Sequence, residues 1–91
     1  MPKIVAGLIY LMTSFLADRI TADQFAAGYL RAWKILCNNP EFNLDSIEAE
    51  ILGYIMVEAE AYYQEDNPAQ LRAVVKEAFT RLIDIFSRPS V

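Results

Sequence analysis

Apolar residues recur every three or four positions along most of the chain, the spacing of amphipathic helices, and no stretch alternates with the period of two expected of a strand. Helical segments are therefore predicted throughout. The first runs from about Lys3 to Asp18, with Ile4, Leu8, Leu11, Met12 and Phe15 on one side and Val5, Ile9 and Leu16 widening the stripe. Being apolar nearly all round, it is expected to be covered on several sides by other helices. The second begins at Thr21, an N-cap residue that Gln24 completes as a capping box, with Ile20 placed to staple onto Phe25. Phe25, Tyr29, Trp33 and Leu36 form its core face, and Ala22, Ala26 and Ala32 allow close approach. Asn38-Asn39-Pro40 ends it, Asn38 or Asn39 being suited to a left-handed cap.

A third helix is predicted from Asp45 as cap, with Glu48 closing a second capping box, to about Gln64. Ile47, Ile51, Tyr54, Ile55 and Tyr62 are its expected core face. The fourth opens with Asn67 as cap and Pro68 in the first helical position, where a missing N–H costs nothing. Leu71, Val74, Val75, Ala78, Phe79, Leu82 and Phe86 give it an apolar stripe, and Arg88-Pro89 closes it. Short connections favour antiparallel neighbours, and short amphipathic helices bury their stripes only together. The expected fold is all-α: a compact four-helix bundle forming one domain over residues 1–91.

Composition narrows the chemistry. The chain has 91 residues, a single cysteine, no histidine and a net charge of -4. One cysteine excludes an internal disulfide, and the lack of histidine removes the usual general base and the commonest metal ligand. Cys37, expected buried or half-buried at the end of the second helix, has no base to activate it and faces a dipole that disfavours a thiolate. Gly7, Gly28 and Gly53 are isolated within helices and make no phosphate loop; each reads as a close-packing position or a tolerated weak point. Carboxylate metal pairs in bundle cores normally recruit Glu-x-x-His, and the histidine half is missing. No enzyme activity and no cofactor are expected. An acidic chain is a poor general binder of nucleic acid. The apolar run Ile4 to Met12 has the outline of a signal peptide, but Phe15-Leu16-Ala17 is a poor cleavage site and the run is too short to span a bilayer, so a cytoplasmic protein is expected.

The acids are unevenly placed. Glu41, Asp45, Glu48, Glu50, Glu58, Glu60, Glu65 and Asp66 occupy a stretch without one Lys or Arg, which makes the third helix the negative pole. On that helix Glu50, Gly53, Val57, Glu60 and Gln64 fall opposite Ile51, Ile55 and Tyr62, an apolar centre edged by charge that suits a basic partner. Glu58 is phased nearer the core, within reach of a basic side chain or tyrosine hydroxyl, and Glu48 is assigned to its cap. Tyr62 is expected buried, and Tyr63 exposed beside Glu60. Alternatives are a solvated surface, an adaptor binding a protein through an apolar stripe around Ile9 and Leu16, or a structural homodimer.

The run Phe15-Leu16-Ala17-Asp18-Arg19-Ile20-Thr21-Ala22-Asp23-Gln24-Phe25, followed by Tyr29 and Trp33, resembles the opening of the colicin D immunity protein family. Ala59-Glu60-Ala61-Tyr62 is similar to the acid–Ala–Tyr stretch at the end of that family's third helix, and Gln70-Leu71-Arg72, within Asn67 to Val75, to the entry of its last helix. The resemblance extends from about Leu8 to Phe86. It implies an immunity protein that covers the basic active-site cleft of a cognate tRNA-cleaving toxin, a bacteriocin or a contact-dependent inhibition toxin, with acidic side chains that imitate RNA phosphates. Glu60 matches the family's acidic position on the third helix; Glu50, Glu58, Val57, Tyr63, Gln64, Glu65 and Asp66 join it as candidate toxin-binding residues by position. The implied partner is a basic ribonuclease domain, with no direct nucleic acid and no membrane, and the inhibitor is expected as a monomer or weak homodimer.

Overall fold

The computed structural model describes residues 3–87, with side chains from Val5 onward. The chain forms four α-helices, α1 (Lys3–Leu16), α2 (Ala22–Cys37), α3 (Ile47–Glu65) and α4 (Pro68–Ser87). Arg88-Pro89, expected to close the last helix, lie outside the described residues, and so does the side chain of Ile4. Each helix packs on its chain neighbours, α1 also packs on α4, and α2 touches α4 across the bundle.

The contacts fix direction. Phe15 near the end of α1 stacks on Phe25 near the start of α2, with centroids 4.8 Å apart. Tyr62 at the end of α3 donates to Asp23 at the start of α2, and Arg72 at the start of α4 reaches the carbonyls that end α1. Ile47 at the start of α3 shares a groove with Arg81 and Ile85 at the end of α4. Every adjacent pair is antiparallel, as short connections require.

Local chemistry sets the boundaries. α1 stops two residues earlier than its periodicity indicates, because Asp18 adopts a left-handed backbone (φ 61). Its N–H donates to Phe15 O and that of Arg19 to Ser14 O, the paired bonds of a Schellman closure. The capping box at Thr21 and Gln24 is fully formed. At the other end of α2, Asn38 is right-handed (φ -91, ψ 0), contrary to the left-handed cap expected at Asn38-Asn39, and its side-chain amide closes the helix by donating to Lys34 O. The cap of α3 is Ser46 and not Asp45: Ser46 Oγ accepts from Ala49 N and donates to Asn43 O. Asn67 Oδ1 accepts from Gln70 N, so α4 starts as its sequence dictates.

The core gathers Leu8, Met12 and Phe15 from α1, Phe25, Tyr29 and Leu36 from α2, Ile51, Leu52, Ile55 and Ala59 from α3, and Leu71, Val75 and Leu82 from α4. Trp33 is partly buried against it and sits over Gly53, with Cη2 3.4 Å from the place a Cβ would take. Gly28 lies against Leu11 in the same way, whereas nothing approaches Gly7. Tyr29 is fully buried, and its hydroxyl donates to Leu52 O at 2.7 Å, which satisfies the one polar atom its ring carries inward. Several sequence assignments to the core fail: Ile47, Tyr54 and Phe86 are exposed, and so is Cys37. α1 is covered by α2 and α4, as expected, and leaves Tyr10 exposed. Among the described residues, no helix is long and apolar enough to cross a membrane.

Candidate functional site

The outward face of α3 is set by which of its residues the bundle consumes. Ala49, Ile51, Leu52, Ile55, Ala59 and Tyr62 point inward. At about 100° per residue, Leu52 and Ala59 extend the buried arc on the side away from Tyr54, which rotates the exposed face relative to the pattern read from the sequence. Ile47, Tyr54, Val57 and Tyr63 are 58, 53, 55 and 57% exposed. The central strip is therefore Glu50, Tyr54, Val57 and Ala61, successive neighbours on one helical ridge.

The predicted residues fall into two groups along it. Glu50 and Val57 are exposed on the central strip, with Glu58 half-buried beside them. Glu60, Tyr63, Gln64, Glu65 and Asp66, all exposed, form a second group at the C-terminal end. Gly53 leaves the strip, because Trp33 of α2 covers it. The hydroxyl of Tyr62, a candidate partner for Glu58, is instead taken by Asp23, at 2.6 Å. Glu48 is not spent on a cap either, since Ser46 and Ala49 make that contact, and its half-buried carboxylate lines a groove with Val5, Phe42 and Phe86. Among the described residues, Glu50, Glu58, Glu60 and Glu65 form no ion pair.

The C-terminal group works against its own helix. The carbonyl end of a helix carries partial negative charge and prefers cations, yet the last turn of α3 has no base and ends in Glu65 and Asp66. Asp66 is moreover held in a left-handed backbone (φ 49), a conformation that favours glycine. The Tyr62 hydroxyl at this end holds its proton more tightly than an ordinary tyrosine. Its hydrogen bond to Asp23 is the main cause, with burial and the charges of Asp23 and Asp66 adding to it, and its hydroxyl is pushed up to about 12. Tyr63 lies edge-on to Tyr62, with centroids 6.0 Å apart.

Tyr54 and Ile47 are the residues that sequence reasoning missed. Their signal was present: with Leu52 and Ala59 counted as core, Tyr54 falls outside the buried arc and directly between Glu50 and Glu58. Chemically the exposed face of α3 is mixed. It holds carboxylates, an aromatic ring and small apolar surfaces, and no cluster of three potential metal ligands occurs among the described residues. No protein-family model matches the chain, and neither a curated protein nor a solved structure matches it.

Proposed function

We propose that this chain is a non-catalytic immunity-type inhibitor, acting in the cytoplasm, whose α3 face covers the basic cleft of a tRNA-cleaving toxin domain. The observation that carries the proposal is the row of carboxylates on α3 without an ion-pair partner among the described residues, which continues through a helix terminus that disfavours negative charge. A surface selected for the stability of the free protein would place bases there. Acids kept against the local field are explained by a cationic partner that relieves them on binding and draws the inhibitor in by long-range attraction. The apolar centre at Tyr54 and Val57, edged by Glu50, Glu58 and Glu60, matches the anatomy of a protein interface. The resemblance to the colicin D immunity family supplies the nature of the partner.

The adaptor alternative called for an exposed apolar stripe around Ile9 and Leu16; both are partly buried and packed on the core. The test is protection in cells. Co-expression of this chain with a tRNA-cleaving nuclease domain encoded beside it is expected to restore growth and leave transfer RNA intact. Cleavage and death despite soluble expression of both proteins would overturn the proposal.

A further inference from the structure

We infer that the α3 face receives an arginine side chain of its protein partner, laid on the ring of Tyr54 between the carboxylates of Glu50 and Glu58. The inference rests on the reading of α3 as the binding face and specifies what that face recognises.

Tyr54 is 53% exposed in the middle of α3, so its ring is accessible to a partner. Glu50 stands one turn before it and Glu58 one turn after it on the same ridge, the i−4 and i+4 positions whose side chains lie beside its own. Neither carboxylate is paired with a base among the described residues, and Glu58 is half-buried, so its charge is less screened than that of a fully solvated acid. Val57, one turn away on the other diagonal, is exposed and offers apolar surface to an aliphatic stem.

An aromatic face with a carboxylate on each side discriminates between cations. A guanidinium is planar and weakly hydrated; it stacks on the ring while its N–H fork donates to a carboxylate. An ammonium is compact and strongly hydrated and gains less from the ring. A purely apolar partner would strip water from both carboxylates without replacing it. A second copy of the chain would set the same acids against each other. An arginine thus satisfies ring and acid together better than a lysine or an apolar side chain.

The experiment titrates the isotopically labelled full chain with acetylated hexa-arginine and hexa-lysine peptides at low salt, read by NMR. The wild type is expected to bind hexa-arginine about threefold more tightly than hexa-lysine, the size of an exposed cation–π contact, with the largest shifts at Glu50, Tyr54, Val57 and Glu58. In Tyr54→Leu, with helical content unchanged, the ratio is expected to fall below about 1.5-fold. Equal binding of the two peptides by the wild type, or a ratio that survives Tyr54→Leu, would overturn the inference. A nuclease domain that binds wild type and Tyr54→Leu equally well would also overturn it, while leaving the immunity reading intact. Failure of the nuclease to bind the wild type, with the arginine preference still located at Tyr54, would remove the immunity reading and support this one.

Discussion

The hydroxyls of Tyr29 and Tyr62 tie α2 to α3 at two levels, one deep in the core on Leu52 O and one at the rim on Asp23. Burial raises the ionisation of Tyr29 above its ordinary range, and the bond to Asp23 raises Tyr62 from 10.0 to about 12. Between those two values the folded chain keeps a proton on Tyr62 that the unfolded chain has lost. Stability is therefore full below about pH 10 and falls as pH rises through this window. Urea midpoints measured across it are expected to decline less steeply for Tyr62→Phe than for wild type; parallel declines would contradict the assignment. Phe25 is fully buried and stacks on Phe15, so Phe25→Ala is expected to cost about 3–5 kcal/mol by denaturant unfolding. Gly7 is exposed in mid-helix with nothing near it, and Gly7→Ala is expected to add about 0.5–1 kcal/mol. These core positions were legible from spacing alone, since a fully apolar helical face leaves few alternatives. The hydroxyl partners were not, because they depend on which carbonyl or carboxylate the packing brings within reach.

At the scale of the helix, the caps at Thr21 and Asn67 were readable because each is completed within four residues of sequence. The start of α3 was misjudged by one residue. Two polar residues in succession, Asp45 and Ser46, both suit the cap, and Asn43 decides between them by engaging both: its side chain accepts from Asp45 N and its carbonyl from Ser46 Oγ. Its outward face was also set too far toward Gly53, because α3 carries apolar residues on nearly every side and only the tertiary contact of Trp33 shows which are covered. The acidic character of the face survived that error, since Glu50, Glu60, Glu65 and Asp66 are exposed in either phase. Acids at the C-terminal end of α3 cost the free protein stability. Glu65→Lys is accordingly expected to raise stability by about 0.3–1 kcal/mol while weakening toxin binding. A variant less stable than wild type, or equally potent as an inhibitor, would contradict that trade.

Across the molecule, the stretch from Glu41 to Asp66 carries acids without a base, whereas α2 and α4 carry both signs, with Arg31, Lys34, Lys76 and Arg81 exposed beside Asp23, Glu77 and Asp84. Arg72 belongs to the architecture. Its guanidinium donates to Phe15 O, Leu16 O and Asp18 while lying 5.9 Å from the Phe15 ring centroid, and so locks the end of α1 to the start of α4. A lysine has no fork to reproduce those bonds, and Arg72→Lys is expected to lower stability by about 1–2 kcal/mol. The helical content and the antiparallel order could be anticipated from periodicity and short connections. The function of the acidic face is not fixed by pattern, because a solvated helix and a binding helix carry the same residue types. The most direct measurement is the affinity of the proposed partner, a basic tRNA-cleaving nuclease domain, for the wild type and for the double variant Glu50→Lys with Glu60→Lys, by calorimetry, with circular dichroism to verify the fold. The α3 interface predicts an unchanged helical spectrum and an affinity lowered about 100-fold or more, as reversing charges against a basic cleft demands. An unchanged affinity in the folded double variant would contradict it.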